Sequence, residues 1–417
     1  STKTTRPPTA YVPLRVRSYY SLLTGASSPA DYLSTARSLG LPALALTDTN
    51  NLYGAGEFFA VARGHDAPRP LLGSLITTSC HDVLLLVAND AGYSNLCRII
   101  SARHLDPSFS LFESVIAHQE GLAVLVSDLD AALALHARID RGRLWFEVVR
   151  PSADPSRERT VLRRARRLGL PLVASANIYS AVLPHARRYA MLEAIRRNCR
   201  LSTAAAAVGE QPRVSLPSAA EFASLFADLP EAVRATQRLA SQCEFALRPR
   251  APVFPPQTER VVRRLYRRAQ AGARRRYDGL DDVIRTRLDR EFELITAKSF
   301  APYFLVVADI VCHARRLGTP IAGRGSGAGS LTAYCLGITN VDPLRHGLPF
   351  ERFLNGGRTE YPDLDIDLCH RKRDEVIDYV YERYGADHVA MISTHVKMKP
   401  RFAFRLAAKA QIGRAHV

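Results

Sequence analysis

Three aspartates, Asp363, Asp365 and Asp367, alternate with Leu364, Ile366 and Leu368 in the run YPDLDIDL. Successive side chains of an extended strand point to opposite faces, so this spacing sets the carboxylates on one face and the aliphatics on the other. The aliphatic face needs a core to cover it. The acidic face concentrates like charge, which is unfavourable until cations offset it. Mg²⁺, a hard ion held by one or two carboxylates plus substrate phosphates, suits these donors. Two such ions are a standard device for in-line phosphoryl or nucleotidyl displacement. An edge strand whose acids merely resist aggregation has the same pattern, and Ca²⁺ accepts the same oxygens.

Upstream, AGRGSGAGS (322–330) brings together four glycines, two serines and Arg324 ahead of the helical LTAYCLGI. Glycines allow close backbone approach, and a helix N-terminus offers N–H groups to an anion. Arg324, Gly325 and Ser326 are thereby the candidate phosphate-binding group, suited to a triphosphate. No Lys-Ser/Thr pair follows, so this is not a Walker loop, and a plain glycine-rich loop reads the same way.

Fifty-seven Lys and Arg against 40 Asp and Glu leave a net charge of +17. Such an excess favours a polyanionic partner, although arginine used freely on solvated faces produces it too. The densest cluster is ERVVRRLYRRAQAGARRRY (259–277), with eight arginines. Arg263, Arg264, Arg267 and Arg268 are its candidates for DNA-backbone contact, around a thin stripe of Val261, Leu265 and Ala269. A solvated helix joining two domains is the plain alternative. Seven scattered cysteines without a C-x-x-C pair give neither a zinc ribbon nor a disulfide framework and read as buried small hydrophobes. No apolar stretch approaches the roughly 20 residues that span a bilayer, so a cytoplasmic protein without membrane contact is expected.

The elements that must position these groups follow from periodicity. Residues 1–10 are polar and Pro-containing, a disordered tail. From 11 to about 185, strand-length apolar runs (41–47, 82–88, 121–127, 144–150 and 170–176) alternate with helical segments such as 28–40 and 157–169. This alternation predicts an α/β domain with a largely parallel sheet, barrel-like, with functional groups at the strand ends. Residues 186–250 read as helical. RPRAPVFPPQ (248–257) carries four prolines and reads as a linker, so the first domain spans 11–247, the linker and basic helix 248–277, and a second domain 278–417. The closing QIGRAHV continues no pattern and reads as a non-native scar.

The blocks PYFLVVADIV, GRGSGAGSLTAYCLGITNVDPLRHGLPFERFLN and YPDLDIDLCHRKRDEVIDYVYERYG, in this order within 302–385, resemble the palm of bacterial DNA polymerase III alpha subunits. The resemblance implies template-directed DNA synthesis from dNTPs with two Mg²⁺ ions in a mixed α+β palm that is incomplete here. It maps Asp365 and Asp367 onto two of three catalytic, metal-holding aspartates; Asp363, on the same face by its spacing, is a further candidate metal ligand. It maps Gly325 and Ser326 onto the turn at the triphosphate. The third carboxylate, the fingers and the segments that meet the sliding clamp and other replication or repair proteins would lie downstream, so the fragment alone should not polymerise. Primer–template DNA and dNTP are the implied partners.

The front of the chain, chiefly 17–55 and 83–101, resembles the PHP (polymerase and histidinol phosphatase) domain that these polymerases carry. In that family an H-x-H pair and further His, Glu and Asp hold metals. Here Arg15 and Arg17 stand at the H-x-H positions, Thr49 or Tyr179 at a later histidine and Leu75 at an acid, while Asp48 survives. Arginine has no lone pair to give a metal, so no metal is expected in this domain, and Arg15 and Arg17 are expected to pair with acids instead. The lost ligands and the tail 393–405 lean towards the error-prone paralogue. The alternatives are a PHP-type phosphoesterase or exonuclease and a non-catalytic DNA-binding scaffold.

Overall fold

A computed structural model of the chain describes residues 10–413 apart from 65, 153, 210–214, 249–252, 278 and 358–362. The tail at 1–9, part of the proline-rich linker and the last four residues lie outside the described residues. Two compact units emerge: Ser1–Pro249 with Lys397–Val417, and Arg250–Val396.

In the first unit the order is α1 (Pro29–Ser38), β1 (Ala43–Thr49), α2 (Ala55–Val61), β2 (Arg69–Thr77), β3 (Asp82–Val87), α3 (Asp90–Leu105), α4 (Leu111–Ala117), β4 (Leu122–Val126), α5 (Leu129–His136), β5 (Leu144–Val149), α6 (Pro155–Arg167), β6 (Leu172–Ser175) and α7 to α10 (Ala186–Arg197, Leu201–Gly209, Ala219–Leu225, Pro230–Ser241). The strands form one sheet in sequence order. β1–β2, β4–β5 and β5–β6 are parallel, whereas β3 runs antiparallel to both neighbours. The sheet is therefore mixed rather than largely parallel. The reason is the short β2–β3 connection, which has room for a turn but not for a crossover helix. β2 itself is absent from the expected strands. Its Pro70 and Gly73 interrupt the apolar run, yet Gly73 sits where a Cβ would meet the Leu85 carbonyl oxygen at 2.3 Å.

Alternate residues of each strand supply two cores. Leu44, Leu46, Leu72, Leu85 and Val124 face α1 to α6. Ala43, Ala45, Leu71, Leu84 and Trp145 face inward, where Leu239 and Ala240 of α10 cover them. The extended segment 13–17 joins the sheet's edges, with Thr47 N donating to Val16 O at 2.8 Å and Arg17 N to Ile178 O at 3.0 Å. The sheet is thus curled as a barrel-like domain requires.

The second unit holds α11 (Glu259–Arg276), α12 (Asp282–Ala297), α13 (Ala301–Arg316), β7 (Ile321–Arg324), α14 (Leu331–Cys335), β8 (Asp365–Leu368) and α15 (Arg373–Tyr384). Its core is helical, built on Leu265, Leu288, Phe292, Phe304, Val311 and Phe353. The last helix, α16 (Pro400–Ile412), departs from the expected second domain ending at 417. Its Ala410 packs with Ala194 of α7 and Ala204 of α8, small residues that let backbones approach. α16 also takes in Gln411 and Ile412 of the supposed scar and ends on Gly413 at φ +77°, a left-handed C-terminal cap that glycine adopts readily. Cys80 and Cys312 are exposed rather than buried. No single helix among the described residues is long and apolar enough to cross a membrane.

Candidate functional site

The strand β8 covers Asp365–Leu368, and Asp363 and Leu364 precede it rather than lying in it. Asp363, Asp365 and Asp367 are exposed, and Leu364, Ile366 and Leu368 are half-buried against the second unit's core. β8 pairs antiparallel with β7, setting Arg324 opposite Asp365 and Ala322 opposite Asp367. The strand that enters the glycine-serine turn is therefore the acidic strand's own neighbour. Side chains on one face of such a ladder meet directly or diagonally, and Arg324 Nε reaches Asp367 Oδ1 at 3.1 Å. Among the described residues no cation stands within ion-pair distance of Asp363 or Asp365, so the repulsion along this face is only partly relieved.

The turn, Gly325–Gly329, is a tight 3₁₀ segment. Gly325 has φ +74°, and a Cβ there would stand 3.1 Å from Asp365 Oδ2. Any side chain would be strained by the backbone and would crowd the carboxylate. Arg324, Gly325, Ser326, Asp365 and Asp367 are thus gathered in one place, 40 residues of chain having been looped out between the strands.

One expectation is overturned. The N-terminus of α14 does not offer free N–H groups to an anion. Glu291 of α12, fully buried, accepts from Leu331 N at 2.8 Å, Thr332 N at 2.9 Å and Ser330 Oγ at 3.0 Å. Sequence reasoning passed over Glu291, yet its signal was present: it falls among Ile284, Leu288, Phe292 and Ile295 on the buried stripe of α12. A second omission is Tyr303, whose hydroxyl oxygen accepts from Leu364 N at 3.0 Å and anchors the start of the acidic run. Burial raises the Tyr303 pKa, which keeps that hydroxyl protonated.

On α11, Leu265, Ala269, Gly272 and Ala273 are buried while Arg263, Arg264 and Arg267 are exposed. Val261 is only half-buried, so the stripe is shifted one turn towards the C-terminus. Arg263 is tied to Glu259 at 3.2 Å, and Arg268 is half-buried beside Asp309, Arg383 and Tyr384.

In the first unit Arg15 and Arg17 are each 5% exposed. Arg15 meets Asp82 at 3.0 Å and the buried Glu147 at 3.3 Å. Burial disfavours its charge, but the two carboxylates outweigh that and its pKa is raised. Arg17 does not pair with an acid as expected. It donates to Asn177 Oδ1 at 3.3 Å and lies 4.5 Å over the Tyr179 ring, and burial lowers its pKa. Thr49 ends β1, and Leu75 is buried in β2. Among the described residues no three His, Cys, Asp or Glu side chains group as metal ligands.

Asp48 accepts from Ser18 N and Oγ and from Ser21 Oγ at 2.7–2.8 Å, while burial pushes its pKa up to about 6. A folded pKa above the unfolded value means that this group's stabilisation is complete below about pH 4 and is lost as pH rises through 6. Asp48→Asn removes that dependence. Against wild type, the variant should gain about 3 kcal/mol between pH 3.5 and 7, at 1.36 kcal/mol per unit, read by urea unfolding at each pH. A pH-independent difference would remove the assignment.

Residues 13–166 match the PHP domain, and 263–415 match the bacterial DNA polymerase III alpha NTPase domain. Among curated relatives, an error-prone DNA polymerase of Symbiobacterium thermophilum is 34% identical over 96% of this chain and 41% of its own length. DNA polymerase III subunit alpha of Caulobacter vibrioides is 34% identical over 95% of this chain and 38% of its own. That of Bacillus subtilis is 33% identical over the same shares. The chain thus spans about two-fifths of the length of these relatives, and identity alone does not separate the replicase from the error-prone enzyme.

Proposed function

The chain belongs to the family of bacterial DNA polymerase III alpha subunits and error-prone DNA polymerases, and on that premise we propose that it carries part of the active site of a template-directed DNA polymerase. The reaction is attack of a primer 3′-hydroxyl on the α-phosphorus of a dNTP, with pyrophosphate leaving. Asp365 and Asp367 are the catalytic carboxylates that hold Mg²⁺, with Asp363 at the margin. Their fit rests on the donor set: adjacent, exposed, hard oxygen ligands, with one neighbouring cation on Asp367 alone. Mg²⁺ bound there would acidify the attacking hydroxyl and neutralise phosphate charge.

The chain's own residues do the rest. The backbone of Gly325 and the hydroxyl of Ser326 receive the triphosphate, and Arg324 adds charge to it. The observation that carries this reading is the β7–β8 ladder, which makes the turn and the acids neighbours. Primer extension by the full-length protein, wild type against Asp365→Ala, tests it, and an unaltered rate rejects it.

The implied partners are primer–template DNA and dNTP in the cytoplasm, with the sliding clamp and accessory proteins engaged by other regions. A PHP-type phosphoesterase is disfavoured because Arg15 fills the space between two acids with a group that cannot ligate a metal. The exposed α11 arginines supply a track for DNA phosphates. Replacing Arg263, Arg264 and Arg267 with Gln should lower the slope of log Kobs against log salt by about 0.9 for each lost phosphate contact, and an unchanged slope assigns the helix to solvent.

A further inference from the structure

The buried acid of α12 has more to do than close a core. Three donors at the start of α14 converge on Glu291, and Arg287, one helical turn earlier, clasps it with Nε at 2.9 Å from Oε1. The same guanidinium extends Nη2 to the carbonyls of Gly329 and Leu348, both at 3.0 Å. α12 therefore grips the last residue of the glycine-serine turn, the first turn of the next helix and the loop crossing beside them. Gly329 completes the clamp: a Cβ there would meet the Pro349 carbonyl oxygen at 2.7 Å.

A glycine-rich approach to a helix N-terminus is where a phosphate would settle. Here a side chain has taken that place permanently. Charge-assisted bonds to a buried carboxylate are stronger than neutral ones, and leaving such donors unsatisfied is costly. The exit of the turn is consequently sealed and fixed. Its entry, at Gly325 and Ser326 beside Asp365, is left to receive a ligand.

We propose that Glu291, oriented by Arg287, is a positioning residue for the nucleotide: it acts as a built-in anion that closes the α14 N-terminus and sets the turn so that the triphosphate binds only at the Gly325–Ser326 end. This rests on the polymerase reading above. Neither residue touches substrate or the reacting atoms, so its effect reaches the nucleotide through the turn.

The test is steady-state primer extension by the full-length protein, with KM for dNTP and for primer–template measured separately, alongside thermal unfolding. Displacement of the turn by about an ångström costs on the order of a hundredfold. Glu291→Ala should lower kcat/KM for dNTP by that order through a raised dNTP KM, with KM for primer–template unchanged. Glu291→Gln, which retains one acceptor oxygen, should fall between it and wild type. Should Glu291→Ala fail to fold, Arg287→Gln leaves the carboxylate on its helix donors and must show the same dNTP-selective rise at smaller amplitude.

A variant that only lowers the folded fraction loses kcat and keeps both KM values, and that result overturns the proposal. So does a wild-type dNTP KM in a folded Glu291→Ala protein. If Asp365→Ala extends primers normally, the polymerase reading fails and this proposal falls with it. If Asp365→Ala is inactive while the Glu291 variants bind dNTP normally, only this proposal fails.

Discussion

Asp365→Ala or Asp367→Ala in the full-length protein should cut primer extension by at least about a thousandfold, close to 4 kcal/mol of barrier at 1.36 kcal/mol per decade. Each removes one of two carboxylates on which the charge of the transition state depends, and losing even a single electrostatic stabiliser costs about 10²–10³. Stability should hardly change. Both side chains are exposed, Asp367 at 61%, and surface substitutions usually fall within ~0.5 kcal/mol. Easing like-charge crowding on β8 offsets part of even that. The expected signature is a protein that unfolds like wild type, binds primer–template like wild type and does not extend it. Asp363→Ala, outside the ladder, should be milder. Loss of activity accompanied by a lowered unfolding midpoint would point to a structural strand instead.

The second large effect concerns stability alone. Arg15→Met should destabilise this chain by about 3–5 kcal/mol, the cost of leaving a buried charge without its partner. Glu147 is 1% exposed and Asp82 shares the same guanidinium, so both carboxylates lose their compensation together. That is a large part of the 5–15 kcal/mol by which a domain is stable. Arg15→Met with Glu147→Leu should recover most of the loss, because an apolar pair of similar volume often replaces a buried ion pair at little cost. Urea unfolding of the single and double variants decides it. A single variant within 1 kcal/mol of wild type would mean that the pair is idle.

Legibility in the sequence divides along physical lines. The acidic strand was readable because a period of two in D-x-D-x-D sets its acids on one face, and α11 was readable from arginines recurring at helical spacing around a thin apolar stripe. β2 was not, since Pro70 and Gly73 break the pattern that would have announced it, and the antiparallel turn into β3 depends on a pairing between segments. The glycine-serine turn could be placed near the acids only by resemblance, because a register such as Arg324 opposite Asp365 is a tertiary fact. Glu291 and Glu147 were overlooked for a shared reason. A carboxylate inside an apolar run looks like noise until its partners, distant in sequence, are known. Arg17 shows the converse, since an arginine expected to seek an acid settled for an amide and an aromatic face.

The residues that hold the turn and the acidic strand, Arg287, Glu291 and Tyr303, all precede them in the chain. As the polypeptide emerges from the ribosome, α12 and α13 are therefore already available when β7, α14 and β8 appear. The nucleotide end of this site can assemble vectorially, each new segment docking onto helices that were made before it.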